Sequence, residues 1–176
     1  MQKKVFQLSW KKENQIGRIN KMSNDELIKK TLEASKTIAM VGVSSIKKEV
    51  FTNIRRRPST IVMKYMQEFG YRVIPVNPFS VGEKVHGETI VGKLNDIKIP
   101  IDIVDVFRPS KEILKIAEEA IKIGTKVLWL QYGIQNDEAK EIVESKNIIY
   151  FSNKCIKQEY QRLFLKISPV FPALKN

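Results

Sequence analysis

Cysteine and histidine each occur once in this chain of 176 residues, at Cys155 and His86. One cysteine excludes an internal disulfide, and with a single histidine it leaves no donor set for a Cys-rich zinc site or a catalytic transition metal, so no metal is expected. A Ser-His-Asp triad has no support either, because His86 sits in a polar connection between Gly82 and Gly87, without a neighbouring carboxylate, where a surface position is expected. Long apolar runs are missing: no stretch approaches the roughly 18 residues that a membrane helix needs. The first residues lack the apolar core of a secretory signal, and a cytoplasmic location is the expectation. A weak organelle-targeting role for residues 1–21 is the alternative.

Acidic residues are scarce, 19 against 31 basic ones, for a net charge of +12. That balance invites a nucleic-acid reading, but 24 of the cations are Lys and only 7 are Arg, the residue favoured for bidentate phosphate and base contacts. The cluster Arg55-Arg56-Arg57 carries no interleaved aromatics, so a nucleic-acid partner is the least favoured reading. A solvated lysine surface accounts for the charge.

What is present is a regular alternation of short apolar runs with helix-length amphipathic segments. Ser23 and Glu26 have the spacing of a capping box and open a first helix, which sets aside residues 1–22 as a flexible basic extension. Five strands are expected: at Thr37–Gly42, Tyr71–Pro78, Ile101–Phe107, Lys126–Leu130 and Ile148–Phe151. Helices are expected over Pro58–Phe69, closed by Gly70, over Ser110–Ile123, capped by Ser110 and closed by Gly124, after Asn136, and over Ile156–Leu165. Between Asn77 and Pro100 the connection holds Gly82, Gly87 and Gly92, and only a short helix is expected there.

Apolar strands joined by helical crossovers imply an α/β domain, with a parallel sheet of about five strands covered on both faces. The expectation is one Rossmann-like domain over residues 23–167 with strand order 3-2-1-4-5, followed by a tail at 168–176. Ligands of such sheets bind beyond the carboxyl ends of the strands, near the reversal of strand order. That rule selects Gly42-Val43-Ser44, Asn77-Pro78, Phe107-Arg108, Gln131 with Gly133, and Cys155 as candidates converging on one crevice. No G-x-G-x-x-G follows the first strand and no acid ends the second, which disfavours a nicotinamide dinucleotide.

These segments carry a resemblance. Gly42-Val43-Ser44, Arg57-Pro58-Ser59, Gly70 to Pro78, Asp102 to Arg108, Val127 to Gly133, and Cys155 with Glu159 and Tyr160 resemble, in order and spacing, the small stand-alone CoA-binding protein family. That family is similar to the CoA-binding domain of the succinyl-CoA synthetase α subunit. The resemblance covers about residues 23–164 and implies a Rossmann-type fold that binds coenzyme A or an acyl-CoA, without implying a reaction.

The residue chemistry suits such a ligand. The helix starting at Pro58 or Ser59 offers a positive dipole end and free N–H groups to a diphosphate, with Arg57 beside it as a clamp and Ser44 as a hydroxyl donor. Arg108 enters a second helix N-terminus, and Phe107 is pocket wall or core. Gln131 has the chemistry to bond the ligand, and Gly133 the room for a close backbone approach. The ordinary structural roles of these residues are a solvated Arg57, Asn77 as a strand stop bonding its own backbone, and Gly133 as a plain turn. Twelve residues separate Ser44 from Arg57, and the basic segment 46–56 reads equally as a flap or a tolerated surface insertion. Cys155 is the one nucleophile at this edge and Lys154 beside it is expected to lower its pKa, so a CoA-linked thiol-redox or transferase enzyme stands as the alternative function. A homo-oligomer is compatible with the sequence.

Overall fold

The computed structural model describes residues 22–43 and 58–166. The calls on residues 1–21, on Ser44, on Arg57 with the 46–56 segment, and on the 168–176 tail lie outside those residues.

Helix α1 (Asn24–Ala34) opens on the expected capping box: the Ser23 hydroxyl accepts from Glu26 N–H at 3.3 Å, and the Glu26 carboxylate accepts from Ser23 N–H at 3.0 Å. Its face Ile28, Thr31 and Leu32 is buried. Strand β1 (Thr37–Val41) is buried almost throughout, as a central parallel strand must be. Helix α2 (Pro58–Glu68) starts with proline, whose missing N–H costs nothing at that position, and buries Ser59, Val62, Met63 and Met66. Gly70, at φ +88°, turns the chain into β2 (Arg72–Val76).

The long connection that follows forms a two-stranded ribbon, β3 (Lys84–Val85) with β4 (Glu88–Thr89), and a 3₁₀ turn at Leu94–Asp96. His86 and Gly87, at φ +46° and +86°, make the two-residue hairpin loop whose mirror-type turn needs positive φ. His86 is half-buried rather than on the surface, its Nε2 3.0 Å from the Thr60 carbonyl. Strand β5 (Ile103–Val106) leads through a 3₁₀ turn (Ser110–Glu112) into α3 (Ile113–Ile123). Ser110 therefore does not cap this helix as expected, because Pro109 and the tight turn precede its first α-helical residue. Gly124 ends α3 in the left-handed conformation. Strand β6 (Val127–Leu130), α4 (Asp137–Glu144, capped by Asn136), β7 (Ile149–Phe151) and α5 (Ile156–Phe164) complete the alternation.

The strands form one parallel five-stranded sheet in the order β2-β1-β5-β6-β7. This corrects the expected order 3-2-1-4-5: counting parallel strands along the chain, the order is 2-1-3-4-5. Two features place the third parallel strand beside the first. On the outer edge of β2, Pro75 has no N–H to offer, and Val91 already occupies that edge by donating to the Pro75 carbonyl at 3.0 Å and accepting from Asn77 N–H at 2.9 Å. On the other side, the Asp102 carboxylate accepts from the Lys36 and Thr37 N–H groups at 2.8 and 3.1 Å, which locks the start of β5 to the start of β1.

Alternating residues build a core on each face of the sheet. Helices α1, α2 and α5 cover Ile38, Met40, Ile103 and Trp129, while α3 and α4 cover Ala39, Val41, Val104 and Leu128. Trp129 is fully buried, and its indole N–H donates to the Lys154 carbonyl at 2.7 Å, tying the loop after β7 to β6. Among the described residues no helix is long and apolar enough to cross a membrane.

Candidate functional site

In this strand order the chain reverses direction between β1 and β5, and the crevice belongs where their carboxyl ends part. Gly42 leaves β1 at φ +96°. A side chain there would place its first carbon 3.0 Å from Arg108 Cδ and 3.2 Å from the Phe107 carbonyl oxygen, so glycine is required both by conformation and by space. Asn77, at the end of β2, is buried; its amide donates to the Val43 carbonyl at 2.9 Å and its oxygen accepts from Phe79 N–H at 3.0 Å. One side chain thus holds the two strand-end loops together and shapes an Asx turn that carries Pro78 and the exposed Phe79 outward.

A cleft of about 770 Å³ opens at this point on the α3 side of the sheet, walled by Gly42, Asn77, Pro78, Phe79 and Arg108. Its charged lining mixes Lys93, Arg108, Lys111 and Lys115 with Asp96, Glu112 and Glu119. The Arg108 guanidinium is engaged: Nε donates to Glu112 Oε2 at 2.8 Å and Nη2 to Oε1 at 2.9 Å. This bidentate grip holds the Glu112 carboxyl below its ordinary pKa. Four of the expected site residues, Gly42, Asn77, Pro78 and Arg108, are therefore brought to one wall.

The other described candidates lie elsewhere along the same carboxyl edge. Val43 is fully buried, and Phe107 packs as half-buried wall of the core on the α2 side. Pro58 is exposed and Ser59 buried in the first turn of α2. Gly133, at φ +79°, donates its N–H to Asn153 Oδ1 at 2.8 Å and forms the turn beside the exposed Tyr132. Gln131 turns inward, donating from Nε2 to Asp105 Oδ1 at 2.7 Å.

Cys155 is half-buried at the N-cap of α5. Burial pushes its thiol above the ordinary value, the Gln158 N–H opposes that shift, and the Asp105 carboxylate adds to it. The expectation that Lys154 lowers this pKa is thus corrected: the lysine acting on the sulfur is Lys157, on α5, and its effect is outweighed.

Asp105 is the residue that sequence reasoning missed. It lies in the middle of β5, fully buried between Met40 of β1 and Trp129 of β6, and its Oδ2 has no hydrogen-bond partner among the described residues. Burial raises its carboxyl to about 7 against the opposing hydrogen bonds from Gln131 and the Val106 N–H. The signal was a single acid inside the apolar run Ile103-Val104-Asp105-Val106.

Residues 36–161 match the model of a family described as a CoA binding domain. An uncharacterised Bacillus subtilis protein, YneT, is 39% identical over 130 residues, which span 74% of this chain and 89% of that protein. Among solved structures, the Thermus thermophilus protein called cell-free ID.343 is 35% identical with a TM-score of 0.72, covering 81% of this chain and 100% of its own. A hypothetical protein from Pyrococcus horikoshii is 37% identical with a TM-score of 0.71, covering 82% and 94%.

Proposed function

The chain belongs to the CoA-binding domain family, and from that premise we propose that it binds coenzyme A or an acyl-CoA in the cleft where β1 and β5 part. The observation that carries the reading is the junction of Gly42 and Arg108, where a backbone without a side chain adjoins a guanidinium at the reversal point of the sheet. A diphosphate suits such a place: the glycine permits close approach and the guanidinium supplies charge-assisted hydrogen bonds. Arg57, which directly precedes α2 in sequence, is assigned a second phosphate of the ligand, and Ser44 a hydroxyl contact. Phe79, 73% exposed at the cleft mouth, offers an apolar platform for the adenine or the pantetheine arm.

Isothermal calorimetry with CoA, acetyl-CoA, NAD and NADP tests this reading. CoA is expected to bind at least about tenfold, or 1.4 kcal/mol, more tightly than either nicotinamide cofactor. Equal or tighter binding of a nicotinamide cofactor defeats the assignment.

A further inference from the structure

The charged groups of the cleft differ in whether they are already committed to a partner. Arg108 and Glu112 hold each other by two hydrogen bonds, and Asp96 turns back on its own chain, accepting from Lys93 N–H at 3.1 Å. Lys111 and Lys115 line the same cleft, are exposed, and make no hydrogen bond or ion pair among the described residues. Glu119, the remaining acid of the lining, lies four residues beyond Lys115 and is not paired with it. The cleft therefore holds two uncommitted ammonium groups.

Their placement brings them together. Lys111 stands in the 3₁₀ turn and Lys115, four residues on, in the first turn of α3. Both face the cleft that Arg108 and Glu112 also line. The Glu112 carboxyl is held below its ordinary pKa first by Arg108, against its slight burial, and then by the charges of Lys111 and Lys115. Three cations thus share one carboxylate as counter-charge, and a ligand of higher negative charge suits that place better than the single acid does.

We infer that Lys111 and Lys115 form a subsite for a terminal phosphate dianion, the ribose 3′-phosphate of coenzyme A, and make the protein selective for 3′-phosphorylated ligands. The inference rests on the proposed CoA site and adds to it the residues that read the ribose phosphate. The two phosphates of the CoA diphosphate are internal to the chain of the ligand, and a glycine with a planar guanidinium suits them. The ribose phosphate is a terminal branch carrying nearly two negative charges at pH 7. Flexible ammonium groups act on such a dianion as point charges and need no fixed angle of approach. Phe79 and Val81, exposed in the same cleft, offer the adenine an apolar rest, so base platform and dianion subsite share one space of about 770 Å³.

The test is calorimetry on the full-length protein with CoA, dephospho-CoA and adenosine 3′,5′-bisphosphate, a probe that keeps the 3′-phosphate and lacks the pantetheine arm. The parent is expected to bind CoA at least about tenfold more tightly than dephospho-CoA, and to lose part of that preference between about 50 and 200 mM salt. The double variant Lys111→Gln, Lys115→Gln is expected to bind the two ligands within about twofold of each other, by weakening CoA and leaving dephospho-CoA as in the parent. Adenosine 3′,5′-bisphosphate is expected to compete with CoA on the parent and to be at least about tenfold weaker on the double variant. Lys122→Gln, in the last turn of α3 and outside the cleft lining, is expected to keep the preference of the parent. Ligand-free melting temperatures are expected to agree, because both lysines are exposed and unpaired. A double variant that keeps the parent's preference, or that weakens both ligands alike, overturns the subsite. A parent that binds CoA and dephospho-CoA equally overturns this inference and leaves the proposed function standing. No binding of either ligand overturns both.

Discussion

Arg108 and Glu112 hold each other by two parallel hydrogen bonds of 2.8 and 2.9 Å within the cleft proposed to receive a phosphorylated ligand. The carboxylate stands where a phosphate oxygen pair would bind the same guanidinium, so ligand and glutamate compete for one partner. Glu112→Gln is expected to tighten CoA binding by about 1 kcal/mol, roughly fivefold, and Arg108→Ala to weaken it by about 1.5–3 kcal/mol. Both side chains are about one-third exposed, so neither change is expected to move stability by more than about 1 kcal/mol. Calorimetric titration and thermal melts together check this; weaker binding by Glu112→Gln shows that the pair orients Arg108 for the ligand instead.

Gly42→Ala is expected to damage both fold and binding. The new side chain meets Arg108 and the Phe107 carbonyl while the backbone keeps φ +96°, a conformation costing about 1–3 kcal/mol for a residue with a side chain. Denaturant unfolding should report that loss, and CoA titration of the folded fraction should report reduced affinity. An alanine variant as stable as the parent shows that the turn relaxes.

Arg57→Ala is expected to leave the melting temperature of the ligand-free protein nearly unchanged and to weaken CoA by about 1.5–3 kcal/mol, through loss of charge-assisted hydrogen bonds. Dephospho-CoA separates the two phosphates: variant and parent converge on it if Arg57 binds the ribose phosphate and stay apart if it binds the diphosphate. Unchanged affinity for both ligands removes Arg57 from the site.

Asp102 and Asp105 make opposite contributions to acid stability. At Asp102 burial opposes ionisation, but Lys126, the Lys36 and Thr37 N–H groups and the Thr37 hydroxyl bring the carboxyl down to about 2. A depressed folded pKa contributes stability that is present above the unfolded value near 4 and is lost as pH falls toward 2. Asp102→Asn is accordingly expected to cost about 2 kcal/mol at pH 7. Lys126→Ala is expected to cost less than about 1 kcal/mol, because that lysine is 70% exposed and the backbone donors remain. Urea unfolding at pH 7 and pH 3 separates the two variants.

The raised carboxyl of Asp105 works the other way: the folded protein holds the proton more tightly than the unfolded chain, so stability falls as pH climbs from about 4 to about 7. Asp105→Asn is expected to abolish that slope, and urea midpoints over this range should become flatter than those of the parent. An unchanged slope shows that Asp105 is ionised throughout.

Local sequence determined the elements. The Ser23–Glu26 capping box, Gly70 and Gly124 at helix ends, the Asn136 cap and the apolar runs mark elements within a residue or two of those observed, because caps and hydrophobic period act over a few residues of chain. They placed Gly42, Asn77 and Arg108 at the carboxyl edge for the same reason. Only the tertiary structure decided the strand order, since the evidence for it is long-range: a Pro75 edge occupied by Val91, and Asp102 bonded to Lys36 and Thr37 some 65 residues away. It alone turned Gln131 inward onto Asp105, paired Arg108 with Glu112 four residues on, and set Lys157 rather than Lys154 to act on Cys155. Charge and hydrogen-bond partnership depend on which side chains share a space, and residue identity alone does not specify that.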